Sequence, residues 1–253
     1  MDLIRPVVRH FTFDYFLRRD GYRISQDAAE LDRSQYLPAS ALAERQLKKL
    51  TALLSYCAEN NAFYRQRFRQ IGLLPAALKS LEEFRNVPVL TKDDIRATGE
   101  ALFSQGYSQQ NTVHHRTGGS TGVPLHTYMD VPAMSFKKAA TLRHNGWAHL
   151  VPGDRLAAVW GDTDKPHPFK ARLRNALTDR AFYLDTLHFD ESHLRRFVSQ
   201  IRRYRPAVLL GHAHSIYRLA DYVRAHAIED VAFSSIITTA MAVACFLLMD
   251  TRE

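Results

Sequence analysis

The sequence predicts an α/β protein in which helices cover largely parallel sheets. Three short apolar runs, 155–161, 207–211 and 233–240, alternate with two amphipathic helical segments, 190–206 and 214–227. Alternation of strand and helix is typical of a parallel sheet. The chain has 253 residues, of which 46% are hydrophobic and 24% are charged. It is therefore long enough to form one large core or two small ones.

The N-terminal part of the chain is predicted to be helical. Residues 1–37 are mixed in character and rich in aromatic side chains, and we expect them to form a peripheral segment. Ser40 is predicted to cap a helix that ends at Asn60. The apolar positions at helical spacing in this segment are Leu42, Leu47, Leu50, Leu54 and Cys57. A second, short helix is expected to stop at Gly72.

Two capping-box patterns come next in the sequence. Ser80 precedes Glu83 by three residues, and Thr91 precedes Asp94 by the same spacing. In a capping box the side chain of each residue accepts a backbone N–H of the other. Each pattern therefore predicts the start of a short helix, and a longer helix is expected over 133–150.

Residues 231–249 form a run of 19 residues without charge. That length is enough to cross a bilayer, but four Ser and Thr residues interrupt the run and β-branched residues cluster at its start. A buried strand is the favoured interpretation, with a membrane span as the alternative. The N-terminus has no apolar signal region, and Cys57 and Cys245 form no CxxC pair. A cytoplasmic location is therefore expected.

The net charge of +8 is distributed unevenly. Between Lys165 and Arg205 there are ten Lys or Arg residues and four Asp or Glu residues. Such a stretch attracts phosphorylated ligands or acidic surfaces, although it is more often a solvated helix face. No helix-turn-helix, RRM, KH or zinc-finger pattern accompanies it, so a nucleic-acid partner is not expected.

The segment RTGGSTGVPLHTYMD, residues 116–130, contains the densest cluster of glycines and hydroxyl side chains. The cluster consists of Thr117, Gly118, Gly119, Ser120, Thr121 and Gly122. Glycines let backbone N–H groups converge on a phosphate, and Ser and Thr hydroxyls add donors. A Walker P-loop is excluded because Val123 stands where a Lys is required. The residues alone leave two alternatives open, a phosphate-binding loop and a tight hairpin turn.

Five segments in order resemble the phenylacetate–CoA ligase family of adenylate-forming enzymes, and within it the branch associated with capsular polysaccharide synthesis. They are LLSYCAENNAFYRQRF, VPVLTKDDIR, TGGSTGVPL, NGWAHLVPGDR and YRPAVLLGHAHSIYRLADYV. The resemblance covers about residues 40–240, and 38–253 is interpreted as part of the N-terminal domain of such an enzyme. It implies activation of a carboxylate by ATP with release of pyrophosphate, and then transfer to a thiol such as coenzyme A.

The resemblance also implies roles for individual residues. Thr117 to Gly122 would hold the ATP phosphates, with Ser120 and Thr121 as direct donors, and Mg²⁺ would neutralise the phosphate charge. The residues expected in the acyl pocket are Trp160, Gly161, Gly211 and His212. The alternative for Trp160 and His212 is a purely structural role in the core or at the surface.

Two departures from the family pattern bear on catalysis. Met241 stands where the family has a Glu in its adenine-contacting turn, and an apolar side chain is no hydrogen-bond acceptor for adenine. The later motifs of the family and its small lid domain are expected to be absent from this chain. The catalytic residues stay unassigned, and an inactive remnant or nucleotide-binding module is the alternative function.

The expected partners are a small carboxylate and a nucleotide. A homodimer and a separately encoded C-terminal half are further alternatives. The histidine pairs His114–His115, His144–His149 and His212–His214 lack nearby carboxylates at an established ligand spacing, and no metal site is predicted from them.

Overall fold

The computed structural model describes residues 2–117, 123–161 and 168–239. These residues form two compact units. One unit contains the described residues among 1–25 and 138–253, and the other contains those among 26–137.

The helices and strands are as follows in chain order. The α-helices are α1 (Ile4–Val7), α2 (Phe13–Arg19), α3 (Ile24–Ser34), α4 (Ala39–Asn60), α5 (Ala62–Gln70), α6 (Lys92–Thr98), α7 (Val131–Trp147), α8 (Phe169–Leu177), α9 (Glu191–Tyr204) and α10 (Ala213–Ala225). A π-helical segment, Val8–Thr12, links α1 to α2, and short 3-10 turns lie at Pro75–Ala77, Glu83–Asn86, Gly99–Leu102 and Gln109–Asn111. The strands are β1 (Val113–Arg116), β2 (His126–Met129), β3 (Leu156–Val159), β4 (Ala181–Leu184), β5 (Val208–His212) and β6 (Ser235–Thr239).

The unit formed by residues 26–137 has its core between α4 and α5. Leu54 of α4 and Phe68 of α5 are both buried and share a cluster with Leu78. Leu47, Leu50 and Cys57 pack against this cluster, as their helical spacing predicts. The helix α5 ends at Gln70, and Gly72 follows with a φ of 67°, a conformation that glycine adopts without steric penalty.

The helix starts agree with the sequence in part. At α6 the capping box is complete, because the Thr91 hydroxyl accepts the Asp94 N–H at 3.0 Å and the Asp94 carboxylate accepts the Thr91 N–H at 2.9 Å. At Ser80 only half of the box forms. The Ser80 hydroxyl accepts the Glu83 N–H at 3.3 Å, but the Glu83 carboxylate accepts the N–H of Lys79, at 2.9 Å, rather than that of Ser80. The element that begins at Glu83 is only a 3-10 turn.

Two other helix boundaries differ from prediction. The prediction that Ser40 caps α4 is wrong, because Pro38 is the extended residue before the helix, with ψ of 149°. Helix α7 begins at Val131 rather than 133, since the carboxylate of Asp130 accepts the Ala133 N–H at 2.8 Å. It ends before His149, whose φ is 59°.

The second unit contains a four-stranded parallel sheet in the order β4–β3–β5–β6. Three of these strands, β3, β5 and β6, were predicted, and they confirm the α/β class. Strand β4 was not predicted, because its four apolar residues, AFYL, are too few to establish a period. The formation of β6 confirms a strand near the start of 231–249, but the strand is not buried as expected, since none of its residues is fully buried and Ile236 is 42% exposed. Residues 240–249 lie outside the described residues. No helix in the described part of the chain is long and apolar enough to cross a membrane.

One face of the sheet is covered by α9 and α10. The buried residues that make this core are Ala157, Val159, Leu184, Leu194, Phe197, Val198, Ile201, Leu209, Ile216 and Leu219. The four buried positions of α9 recur at the spacing expected of an amphipathic helix. These four side chains pack α9 against residues of β3, β4 and β5.

Gly211 of β5 is required by close packing. A Cβ atom at this position would lie 2.7 Å from the backbone oxygen of Val159 and 3.3 Å from Cγ1 of Ile216. Contacts of this length with backbone atoms force a displacement of the strands. We expect Gly211→Ala to lower the free energy of unfolding by about 1–3 kcal/mol, measured by urea denaturation.

Gly146→Ala is the matched control for this substitution. Gly146 lies in α7 and a Cβ there meets no atom within 4 Å. Because alanine has the higher helix propensity, this variant should gain up to about 1 kcal/mol. Equal effects of the two substitutions would contradict the packing argument.

Candidate functional site

The strands β1 and β2 form an antiparallel hairpin on either side of the predicted phosphate loop. Arg116 pairs with His126, and beyond this pair Thr117 closes the hairpin against Leu125. The Thr117 N–H donates to the Leu125 oxygen at 3.0 Å, and the Thr117 hydroxyl accepts the Leu125 N–H at 3.0 Å. The two strands therefore flank this segment, and both alternatives for it, a phosphate-binding loop and a tight hairpin turn, stay predictions.

Thr117 is the one member of the predicted loop within the described residues. Gly118, Gly119, Ser120, Thr121 and Gly122 lie outside them. The hydroxyl of Thr117 uses a lone pair toward Leu125, and a hydroxyl in that role still has a proton to donate. This geometry is compatible with a phosphate ligand.

The other predicted site residues meet at the carboxyl edge of the parallel sheet. Val159 of β3 pairs with Gly211 of β5, so the next residues, Trp160 and His212, lie side by side on the opposite face. Their rings stack with centroids 4.3 Å apart and an angle of 18° between the planes. The side chain of Trp160 is 40% exposed, so the stack presents a surface to a ligand. Trp160 is therefore not a buried core aromatic, and a purely structural role stays open for His212.

This edge is also a topological switch point. The chain goes from β3 outward to β4, returns past β3 to β5, and continues outward to β6. In open α/β sheets ligands bind in the crevice where the strand order reverses. Trp160 directly follows β3 and His212 ends β5, and these are the two strands that border this crevice. Gly161 follows with a φ of 62°, and its carbonyl accepts the Thr186 N–H at 3.2 Å.

Two polar residues at the same edge were missed by sequence reasoning. Asp185 directly follows β4, and its carboxylate is buried while it accepts the Leu187 N–H at 2.9 Å and contacts His188 Nδ1 at 2.8 Å. Thr239 is the strand partner of His212, and its buried hydroxyl has no hydrogen-bond partner among the described residues. Recognition of β4 would have revealed Asp185, since residues that end parallel strands share one edge.

The electrostatics at Asp185 favour a charged carboxylate. Burial raises the pKa of Asp185, but the hydrogen bonds from the Leu187 N–H and from His188 outweigh it, and the pKa lies below its ordinary value. A carboxylate bound to Nδ1 orients the ring of His188, which is 55% exposed. Nearby, Asp190 caps α9, and hydrogen bonds from the Ser192 hydroxyl and the His193 N–H hold the pKa of this carboxyl well below its ordinary value.

The sheet edge thus combines a flat aromatic surface with an oriented imidazole on a buried carboxylate. Such a surface suits a ligand that has a planar or apolar part, and the polar residues beside it offer hydrogen bonds to a charged group at the other end of that ligand. Within residues 2–117, 123–161 and 168–239, no group of three or more His, Cys, Asp or Glu side chains is arranged to hold a metal ion.

The architecture is that of the N-terminal domain of adenylate-forming CoA ligases. A structure of 2-hydroxyisobutyryl-CoA ligase in an open conformation with 2-HIB-AMP and CoA matches with a TM-score of 0.57 and 24% identity, over 76% of this chain and 45% of that one. The same ligase in its thioesterification state matches with a TM-score of 0.58 and 24% identity, over 76% and 41% of the two chains.

In sequence, the chain is similar to phenylacetate–coenzyme A ligase of Pseudomonas putida. The two are 25% identical over 214 residues, which is 80% of this chain and 45% of that protein. The chain therefore spans less than half the length of the relatives it matches. No protein-family model matches the sequence. The predicted resemblance is confirmed for CoA ligases of the adenylate-forming type, and the capsular branch stays a prediction.

The role of Asp185 in the site is testable through stability. Asp185→Asn weakens the bond to His188, and we expect the free energy of unfolding at neutral pH to fall by about 1–2 kcal/mol. Because the folded carboxyl has the lower pKa, its stabilisation is present above the ordinary pKa of about 4 and is lost as the pH falls through the folded value. Urea denaturation at a series of pH values should therefore show the gap between wild type and variant shrinking in acid.

Asp221→Asn is the control for a surface carboxylate. Asp221 pairs with Arg224 on α10, and both side chains are more than half exposed. A surface pair of this kind contributes less than about 1 kcal/mol. A gap for Asp185→Asn that is unchanged from neutral to acid pH would refute the assignment of a charged carboxylate.

Proposed function

We propose that this chain takes part in ATP-dependent, AMP-forming activation of a carboxylate, as CoA ligases do. The sequence similarity to phenylacetate–coenzyme A ligase over 214 residues is the observation that carries the proposal. The stack of Trp160 and His212 at the switch point supports it, since this is where a sheet of this kind binds ligands. In the proposed reaction a carboxylate oxygen attacks the α-phosphorus of ATP, and pyrophosphate leaves.

The roles of the residues follow from the chemistry that each offers. Thr117 to Gly122 supply backbone N–H groups and hydroxyls, a donor set that fits phosphate. The proton on the Thr117 hydroxyl is compatible with this role, because the oxygen is already an acceptor for Leu125. Mg²⁺, when bound with the nucleotide, would neutralise charge on the phosphates. Trp160, Gly161, Gly211 and His212 line the surface assigned to the carboxylate.

The proposal also specifies the acyl acceptor, the biological setting and a protein partner. Coenzyme A is the favoured acyl acceptor, since the structures of similar fold hold CoA together with 2-HIB-AMP. Capsular or exopolysaccharide synthesis in the cytoplasm is the proposed setting, on the sequence resemblance alone. A homodimer or a separately encoded C-terminal half is the proposed protein partner.

A second candidate function is nucleotide binding without turnover. It is favoured by Met241, which stands where the resembling family has a Glu in the adenine-contacting turn. Loss of that carboxylate removes an acceptor for adenine. The two functions differ in whether pyrophosphate is exchanged.

The loop is tested by calorimetric titration of the full chain with ATP and Mg²⁺. We expect Gly119→Val and Ser120→Ala each to weaken binding at least tenfold, about 1.4 kcal/mol, because they obstruct the loop or remove a donor. Gly146→Val and Ser199→Ala, at exposed positions on α7 and α9, are the matched controls. Unaltered affinity in both loop variants would rule out this loop as the phosphate site.

Turnover is tested separately by carboxylate-dependent exchange between ATP and pyrophosphate. Exchange supports the ligase function, whereas ATP binding without exchange favours the second candidate.

The carboxylate surface is tested by fluorescence. The chain has two tryptophans, and Trp147→Phe leaves Trp160 as the single emitter. We expect phenylacetate, used as the probe, to change the emission of Trp160, because it would bind against the exposed indole face. His212→Ala should weaken this binding about tenfold. A flat titration in the Trp147→Phe protein that nevertheless exchanges pyrophosphate would place the carboxylate elsewhere.

A further inference from the structure

The hairpin of β1 and β2 brings together two histidines that are twelve residues apart in the chain. His114 of β1 faces Tyr128, and His126 of β2 faces Arg116, so the two histidines are diagonal neighbours on one face. Diagonal side chains on an antiparallel pair come within reach of each other when they are long. Here Nε2 of His114 lies 2.7 Å from Nδ1 of His126, with the ring planes only 10° apart.

The neighbouring histidine does not belong to this pair. His115 points to the other face of the hairpin, where its Nε2 lies 3.2 Å from Sδ of Met134. The adjacent pair His114–His115, considered from the sequence, is thus separated by the alternation of a strand. The two histidines in contact are instead His114 of β1 and His126 of β2.

The geometry of the two rings suits a shared metal ion. A contact of 2.7 Å between ring nitrogens is a hydrogen bond in which one imidazole is the donor and the other, being neutral, is the acceptor. If the donor ring carries its proton on its other nitrogen, both facing nitrogens have a lone pair. Two nitrogens bound to Zn²⁺ at about 2.0–2.1 Å with a tetrahedral angle lie about 3.3 Å apart. Small rotations of two exposed side chains provide that separation.

We propose that His114 and His126 form a two-histidine site for a divalent transition-metal ion such as Zn²⁺, Ni²⁺ or Cu²⁺. Neutral imidazole nitrogens are preferred ligands of these ions and are poor ligands for Mg²⁺. Both side chains are exposed, so the ion enters from solvent and water completes its coordination. Binding replaces the hydrogen bond. The donor ring changes tautomer by proton exchange with water, so its proton moves from the facing nitrogen to the second nitrogen and no net proton is released.

The surroundings set the strength and selectivity of the site. Tyr128 packs beside His114 with ring centroids 5.1 Å apart, and Phe103 packs against Tyr128 at 5.0 Å. These rings support the position of His114 without adding charge. Arg116, the strand partner of His126, adds a positive charge that opposes a cation. We therefore expect Arg116→Gln to tighten metal binding, and Cu²⁺ to bind more tightly than Zn²⁺.

The experiment uses the full chain without nucleotide, so that it is independent of the proposed ligase function. Titration with Zn²⁺ and with Cu²⁺ by calorimetry should show one site in the wild type that is lost, or weakened at least tenfold, in His114→Gln and in His126→Gln. His115→Gln is the matched control and should retain the site. Mg²⁺ should not occupy it.

Spectroscopy identifies the ligands directly. The electron paramagnetic resonance spectrum of one equivalent of Cu²⁺ should show coupling to two histidine nitrogens in the wild type, and to fewer in each single variant. Circular dichroism checks that the variants are folded. The proposal is overturned if folded His114→Gln and His126→Gln proteins bind Zn²⁺ and Cu²⁺ as the wild type does, or if His115→Gln loses the same site.

Discussion

The parallel pairing of β3 with β5 is the constraint on which the candidate site at the sheet edge depends. At the end of this pairing the backbone of Val159 approaches Gly211 so closely that a Cβ would lie 2.7 Å from the Val159 oxygen. The next residue on each strand, Trp160 and His212, is thereby brought into a stack with centroids 4.3 Å apart. Rigid strands position two side chains more accurately than a loop does. The stack therefore forms a fixed aromatic surface at the switch point between β3 and β5.

The polar groups around this surface are held by local hydrogen bonds rather than by long-range charge. Asp185 is buried at the end of β4, yet it stays charged because the Leu187 N–H and His188 both bind its oxygens. The Asp190 carboxylate likewise accepts local hydrogen bonds, from the N–H groups of Ser192 and His193 in the first turn of α9. Each carboxylate therefore has its hydrogen-bond partners within three residues along the chain. The conformation of the segment that connects β4 to α9 is thus stabilised by contacts within that segment. This preorganisation is what a site requires if it is to bind a ligand without rearrangement.

The hairpin of β1 and β2 shows how a single scaffold presents different chemistry on each part of its surface. At its loop end Thr117 and Leu125 are joined by two hydrogen bonds, next to the segment proposed to bind phosphate. One of its faces carries the contact between His114 and His126, and the other carries His115 against Met134. Because side chains alternate along a strand, residues next to each other in sequence serve opposite faces. Histidines that are distant in sequence therefore share a site, whereas adjacent ones do not.

The sequence alone determined the α/β class, three of the four parallel strands, the buried face of α9 and the Thr91–Asp94 cap, since each rests on a local period or a local hydrogen bond. The resemblance of the sequence to CoA ligases also singled out Trp160, Gly161, Gly211 and His212 as expected site residues. Only the tertiary structure decided that Trp160 stacks on His212, that Asp185 and Thr239 stand beside them, and that His114 pairs with His126. Those facts depend on strand order and register, which arise from pairings between distant segments and leave no periodic signal in the chain.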